Sequence, residues 1–225
     1  MFKERPIIFS ESLIPPILSG DKTQTRRIVK NIPAAPPGQG QYRCIEGGTW
    51  GLFRSWDNLL IEEFKCPYGK VDDQLWGREA FAYYNHKDEY IKLQGVVGSN
   101  DPDYEVIYRA NIHEEISTDV GIKWRPSIHM PRWASRIQLE ITDIRVERLS
   151  DISEEDAKAE GVKYDFLNSG PPKHGRFNCE GEYKPAFGEF DPYRFEFSLL
   201  WEAINGKGSW AENPWVWVII FKRIV

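Results

Sequence analysis

The end of the chain carries the feature that most constrains its fold, a continuous apolar run from Trp215 to Phe221. A strand with one face in water alternates apolar and polar residues, whereas a strand covered on both faces is apolar throughout. The run therefore predicts a central strand. It follows a loop over 207–214, and its truncation is expected to unfold the protein.

The segment 136–146 predicts the clearest strand in the rest of the chain. Its apolar positions alternate as far as Ile141 and change parity by Ile144. Because a one-residue shift turns every side chain to the other face, this change predicts a β-bulge near Thr142 and Asp143. Bulges bend sheets, and such bends allow a small barrel to close. Shorter strands are predicted over 6–9, 75–81 and 106–109, with two more joined by a turn at 57–58.

Three short helices are predicted from their end signals, over 13–19, 153–161 and 192–205. Their predicted N-caps are Ser12, Ser153 and Asp191, and glycines at 20, 161 and 206 end them. Asp156 can complete a capping box with Ser153, although its arm is shorter than that of the usual Glu. The side chains predicted to be buried in the last helix are Phe195, Leu199, Trp201 and Ile204.

Composition limits the classes of function. The 225 residues suit one sizeable domain, and the net charge of −5 is unlike that of a protein that grips long duplexes by their phosphates. A small local site for a nucleotide or a short strand is therefore expected. Three widely spaced cysteines make no disulfide framework, the chain begins without an apolar leader run, and no segment reaches the ~20 apolar residues of a membrane helix. A cytoplasmic location without membrane contact is expected.

The most reactive combination of side chains lies in the basic stretch 20–27 (GDKTQTRR). Lys22 and Thr25 share a face if the stretch stays helical. A lysine can act as the base for a hydroxyl nucleophile if burial or a second cation lowers its pKa. Arg26 and Arg27 supply that cation and planar forks for a phosphate or a carbonyl. The alternative interpretation is a solvated turn.

The strand predicted within 72–81 adds a second group of candidates. Trp76 and Arg78 share one face, whereas Glu79 shares the other with apolar residues. A buried carboxylate needs a partner, and Lys22 or an arginine of the basic stretch would provide one. A structural ion pair is the alternative role for Glu79.

The segment 123–136 is a second concentration of positive charge, with two Trp, three Arg, one Lys and one His and no acidic residue. Its two prolines disfavour a helix or a central strand. Interleaved aromatic and arginine side chains suit a stacked base beside a phosphate, although a loop that packs its Trp into the core is the alternative. The candidate ligand-binding residues here are Trp124, Arg125, His129 and Arg132.

The cysteines offer one metal hypothesis. Cys44 and Cys66 could bind a metal together with Cys179 and either His174 or His113. Their spacing matches no zinc pattern, and ordinary thiols are the simpler interpretation. We therefore predict no metal and no cofactor.

Three motifs resemble those of the ASCH domain family, which is related to the PUA-like RNA-binding barrels. The pattern G-x-K-x-x-T-x-R is filled by Gly20, Lys22, Thr25 and Arg27. The run at 73–79 is similar to the family's D-x-L-W-V-R-E, with Gly77 where valine is usual. The pattern D-A-x-x-E-G is filled by Asp156, Ala157, Glu160 and Gly161. The segment 123–136 resembles a run in long ASCH proteins of bacteriophages and prophages.

The resemblance implies an α+β fold, namely a PUA-like mixed β-barrel with flanking short helices. It implies one domain over 1–225, with loop insertions at about 31–65 and 163–190, the first of which could be a lid or surface decoration.

It also implies a site. In small bacterial members that hydrolyse acetylated cytidine, a Glu is proposed to act with the motif Lys and Thr, which correspond here to Glu160, Lys22 and Thr25. Arg27 or Arg78 would then steady an oxyanion. The expected function is amide hydrolysis on an acylated nucleoside such as N-acetylcytidine. The alternatives are a non-catalytic module that binds a nucleoside or short single-stranded RNA and, more weakly, a nuclease.

Overall fold

The computed structural model describes residues 2–30, 32, 40–46, 48–85, 97–98, 104–112, 122–163, 175–177, 183–185 and 191–224. Within these ranges the protein is α+β, built mainly from strands in several sheets with a few short helices. None of the helices in these ranges has the length and the apolar character needed to cross a bilayer.

The strands in chain order are β1 (Glu4–Ile8), β2 (Gln24–Ile28), β3 (Gly40–Glu46), β4 (Thr49–Arg54), β5 (Leu60–Lys65), β6 (Gln74–Arg78), β7 (Phe81–Asn85), β8 (Val97–Gly98), β9 (Tyr104–Tyr108), β10 (Gln138–Arg148), β11 (Gly175–Phe177), β12 (Tyr183–Pro185) and β13 (Trp215–Arg223). The α-helices are α1 (Ile14–Ser19), α2 (Glu154–Ala159) and α3 (Pro192–Asn205). Short 3-10 turns lie at Glu11–Leu13, Arg109–Asn111, Ser127–His129, Arg132–Ala134 and Leu149–Asp151.

The largest sheet has five strands in the order β1-β6-β10-β13-β2. β1 and β6 are parallel and the other pairs are antiparallel. β13 lies between β10 and β2 with residues 216–219 buried, so the prediction of an interior strand is confirmed. The register between β10 and β13 shifts between Ile141 and Asp143, which confirms the predicted bulge.

The two outer strands of this sheet approach each other. Arg27 of β2 donates a hydrogen bond through Nη2 to the carbonyl of Ile8 at the end of β1. The same guanidinium lies over the ring of Phe9, 5.5 Å from its centroid. A single side chain therefore links the two outer strands of the sheet.

A second sheet, β3-β4-β5, comes from the segment expected to be an insertion. Its turn lies at the predicted position, where Asn58 has a positive φ of 58°. Trp50 of β4 is buried and packs edge-on against Trp217 with ring centroids 5.5 Å apart. Trp50, Phe64 and Ile32 of this segment thus pack with the main hydrophobic core, whereas most side chains of β5 are exposed. The remaining sheets are β7-β9-β8 and β11-β12.

The helix ends agree with the sequence at most positions. The side chains of Ser153 and Asp191 accept hydrogen bonds from the backbone N–H groups three residues on, as predicted. Ser12 lies inside the 3-10 turn that precedes α1, so it is not the N-cap. Asp156 does not complete a capping box, because arginine side chains hold its carboxylate.

Fewer of the predicted side chains of helix α3 are buried than expected. Trp201 is buried as expected, but its partner in the core is Phe197, four residues earlier. The other predicted core residues, Phe195, Leu199 and Ile204, are 42%, 49% and 48% exposed, so that prediction was wrong. The reason is that α3 packs along one face, where residues four apart lie above one another.

Candidate functional site

The basic stretch is a bridge between α1 and β2. Gly20 ends α1 in the left-handed conformation with φ 84°, and β2 begins at Gln24. The Lys22 N–H bonds the Pro16 carbonyl at 2.9 Å, and the Thr23 N–H bonds the Ala159 carbonyl at 2.8 Å. The stretch is not helical, so the condition under which Lys22 and Thr25 would share a helical face is not met. The strand still brings Thr25 into the buried interior, opposite Ile219 of β13.

Lys22 and Glu160 form a buried ion pair at the centre of the site. The Lys22 Nζ donates to Glu160 Oε2 at 2.6 Å and to the Glu160 backbone carbonyl at 2.8 Å. The two side chains are 0% and 4% exposed. Burial lowers the pKa of Lys22; Glu160 opposes that shift, and the nearby charges of Arg27 and Arg26 add to it. A lowered pKa is the condition for a lysine to serve as a base.

Arg26 joins this pair to a wider network. Its Nη1 donates to Glu160 Oε1 at 3.1 Å, and its Nη2 donates to Glu147 at 2.6 Å and to Asp156 at 2.7 Å. Arg145 bonds the same two carboxylates. With Lys22 included, three cations balance three carboxylates, so each buried charge has a partner. The two Nη atoms of Arg26, a residue predicted to bind substrate, are thus engaged by these three carboxylates, including that of Glu160.

Gly161 allows α2 to approach the lysine closely. It has a left-handed φ of 83°, which a Cβ would strain. An added Cβ would also lie 2.9 Å from the Pro16 Cβ and 3.0 Å from the Lys22 Cβ. The glycine that follows Glu160 is therefore required by this packing.

A cavity of about 220 Å³ opens beside the ion pair. Its polar lining includes Thr25, Arg26, Arg27 and Glu160, whereas Lys22 lies behind Glu160. Part of the apolar wall comes from α3, through Phe197, Leu200, Trp201 and Ile204. Among the described residues, none hydrogen-bonds the Thr25 hydroxyl.

Three N–H groups of residues that line this cavity are buried and have no hydrogen-bond partner among the described residues. They are Arg26 Nε, Arg27 Nε and Trp201 Nε1. Because these donors belong to residues that line one cavity, they are available to a ligand that accepts hydrogen bonds. Burial lowers the pKa of Arg27, an effect that Tyr68 and Glu160 oppose. Burial likewise raises the pKa of Tyr68, and Arg27 opposes this change.

The other predicted ligand-binding residues lie elsewhere. Arg78 stacks over Trp76 at 4.5 Å, and Arg132 lies 6.0 Å from the same ring. Arg125 lies 4.7 Å over Tyr83. Trp124 is half-buried and His129 is exposed. None of these predicted residues is among those that line the cavity, so the candidates form two separate groups.

Glu79 is buried, but its predicted partner was wrong. Both of its oxygens accept hydrogen bonds from Arg136, at 2.8 and 2.7 Å, and neither Lys22 nor the basic stretch is involved. Burial raises the pKa of Glu79, and Arg136 opposes that shift. The partner is Arg136 because β6 and β10 are neighbours, which brings the residues beyond their paired ends together.

Several members of the site were not predicted from the sequence. Arg145 and Glu147 are two apart in β10 and so point the same way, which is a signal that could have identified a charged pair on this strand. The roles of Tyr68 and Phe197 in the cavity wall depend on tertiary contacts that local patterns do not reveal.

The metal hypothesis involves residues that the structure describes only in part. Cys44 is exposed and Cys66 is buried, while Cys179, His174 and His113 lie outside the described residues. The described residues contain no cluster of three or more His, Cys, Asp or Glu side chains arranged to hold a metal.

Comparison with known proteins gives no assignment, because no family model, no curated protein and no solved structure matches this chain.

Proposed function

We propose that this chain is a long ASCH-type protein with a PUA-like barrel, and that it hydrolyses the amide of an acylated nucleoside such as N-acetylcytidine. The observation that carries the proposal is the convergence of Thr25, Arg27 and Glu160 on one cavity, with Lys22 bonded directly behind Glu160. The approach of β2 to β1 through Arg27 supports the barrel.

The size and lining of the cavity favour a single modified base. Pockets for drug-sized ligands span ~300–1,000 Å³, and this cavity is smaller, at about 220 Å³. Phe197 and Trp201 offer aromatic surface to a base. The unpartnered N–H groups of Arg27 and Trp201 match the carbonyl oxygens of an acylated pyrimidine.

In the proposed reaction, the Thr25 hydroxyl attacks the acyl carbon. Its proton passes to the Lys22–Glu160 pair, since Glu160 faces the cavity and Lys22 has a lowered pKa. The same pair returns the proton to the leaving exocyclic amine as the C–N bond breaks. Water then hydrolyses the threonine ester and releases the acid. Arg27 stabilises the oxyanion, and it suits this role better than Arg78, which does not line the cavity.

The second candidate function is binding without turnover. It is favoured by the way that Glu160 holds Lys22 and Arg26, because a purely structural clamp would make the same bonds. In that case the cavity recognises a nucleoside or a short single-stranded RNA. A nuclease is the weakest candidate, because the carboxylates of the site are bonded to cations and not left open to a metal.

The test follows cytidine release from N-acetylcytidine by chromatography, with Lys22→Met and Lys158→Met as a matched pair of variants. Lys158 also pairs with a glutamate, Glu154, but both side chains are largely exposed. The assay is run at a temperature at which each variant remains folded. Release by the wild type and Lys158→Met, but not by Lys22→Met, supports the proposal. Saturable binding with no release by any protein supports the binding module.

A further inference from the structure

A second cavity, separate from the candidate active site, has a strongly cationic lining. It has a volume of about 310 Å³ and is lined by Lys3, Arg5, Lys65 and Lys70, with Asp73 the acidic residue in its wall. These side chains come from the start of the chain, β1, β5 and the loop before β6. Four cations against one carboxylate give a local charge of +3, in a protein whose net charge is −5.

Asp73 holds the walls of this cavity together. It is buried and accepts hydrogen bonds from the Lys3 N–H at 2.9 Å, the Lys70 N–H at 3.2 Å and Arg5 Nη1 at 2.7 Å. Burial opposes its ionisation, but these bonds outweigh burial and lower the pKa of Asp73. Its negative charge therefore stabilises the Arg5 guanidinium and the two backbone N–H groups. It does not neutralise the three lysine side chains.

Within the part of the chain that the structure describes, no acidic side chain forms an ion pair with Lys3, Lys65 or Lys70. Like charges around one cavity repel each other unless an anion lies between them. The cavity therefore has the electrostatic character of an anion site.

We infer that this second cavity binds a phosphoryl group. Three ammonium groups act as point charges that suit a multiply charged, tetrahedral anion. A planar carboxylate would instead favour a free guanidinium fork, and the Arg5 fork is engaged through Nη1 by Asp73. A charge of +3 also exceeds what a singly charged carboxylate would balance.

A glycine in the wall of this cavity allows the side chains of Arg5 and Asp73 to pack closely against the turn. Gly69 has a φ of 119°, and a Cβ there would lie 2.5 Å from Arg5 Nη1 and 2.7 Å from Asp73 Oδ2. The turn at 66–69 separates the two cavities, since Tyr68 lines the first whereas Cys66 and Gly69 line the second. The proposed phosphoryl site involves only residues of the second cavity and does not depend on amide hydrolysis in the first.

The experiment is calorimetric titration of the protein with inorganic phosphate at constant ionic strength. The test variant is Lys65→Gln/Lys70→Gln, and the control is Lys207→Gln, an exposed lysine that lines neither cavity. We expect saturable binding by the wild type and the control. Because charge-assisted hydrogen bonds are lost, the double variant should bind at least about tenfold more weakly. Its unchanged melting temperature would show that the exposed lysines are not needed for folding.

A further titration with cytidine monophosphate identifies the source of the phosphoryl group. Tighter binding of the nucleotide than of phosphate, lost in the double variant, supports a nucleotide. Equal binding of both supports free phosphate. No saturable phosphate binding by the wild type, or equal binding by the double variant, overturns the inference whatever the result with N-acetylcytidine.

Discussion

The substitution Lys22→Met tests the physical basis of the site. It removes the ammonium group that Glu160 Oε2 contacts at 2.6 Å and replaces the lysine stem with an apolar chain of similar size. Removing one partner of a buried ion pair typically destabilises a protein by ~3–5 kcal/mol, because the remaining charge stays buried. Arg26 still bonds Glu160 Oε1, and methionine leaves little empty space. We therefore expect the free energy of unfolding to fall by about 3 kcal/mol, near the lower end of that range.

The free energy of unfolding is measured by urea titration at pH 7, together with the double variant Lys22→Met/Glu160→Gln. Glutamine can still accept a hydrogen bond from Arg26 and carries no charge that needs the lysine. The loss of unfolding free energy in the double variant should therefore be smaller, by at least ~1.5 kcal/mol, than the sum of the losses in Lys22→Met and Glu160→Gln. Lys158→Met, in the exposed pair with Glu154, should show little measurable change. A loss below ~1 kcal/mol for Lys22→Met would refute the account of this pair.

Three further predictions address the packing, the pH dependence and the thiols. Gly161→Ala should lower the free energy of unfolding, measured by urea titration, by about 2 kcal/mol. Gly20→Ala should lower it less, since Gly20 has a similar φ but no atom within 4 Å of an added Cβ. Arginine bonds outweigh the opposing effect of burial and lower the folded pKa of Asp156, so its contribution to stability is complete above the unfolded value of ~3.9 and is lost as the pH falls below it. Asp156→Asn should be less stable at pH 7 and lose less stability on acidification, and equal acid dependence in melting scans would contradict this. Burial raises the pKa of Cys66 to about 11, so peptide mass mapping after brief iodoacetamide treatment should find Cys44 modified and Cys66 protected.

Local signals predicted some of this structure well. The N-cap at Ser153 depends on residues within one turn, and it could be identified from the sequence without knowledge of the fold. The interior strand β13 and the bulge in β10 were also predictable. A continuous apolar run indicates burial on both faces, and a change in the parity of apolar positions indicates a bulge, and each signal lies within the sequence of one strand.

Partnerships between distant segments were not predictable in the same way. Glu79 needed a partner, but its identity as Arg136 depends on the pairing of β6 with β10, which no local pattern specifies. A shared face for Lys22 and Thr25 required the basic stretch to stay helical, whereas pairing with β13 makes residues 24–28 a strand. That pairing joins residues almost a chain length apart, and such long-range pairing outweighs the local preference.

In the candidate site, too, local motifs were predictable from the sequence and contacts between distant segments were not. Lys22, Thr25 and Glu160 were selected by motif resemblance, and the structure brings Thr25 and Glu160 to one cavity with Lys22 bonded to Glu160. The sequence did not predict that Arg26 would be enclosed by three carboxylates, because these come from β10, α2 and the end of α2. Residues at 123–136 were predicted to bind the ligand, but they form a group separate from this cavity because they pack beside β1, β6 and β7.

The most direct test of the central claim is the number of cytidine molecules that each protein molecule releases from N-acetylcytidine, compared among wild type, Thr25→Ser and Thr25→Val. Serine keeps the hydroxyl that lines the cavity, whereas valine keeps the shape of threonine without it. The account predicts many turnovers by the wild type, measurable turnover by Thr25→Ser and none by Thr25→Val, which should still bind the nucleoside. Undiminished turnover by Thr25→Val, or no turnover by the wild type, would contradict it.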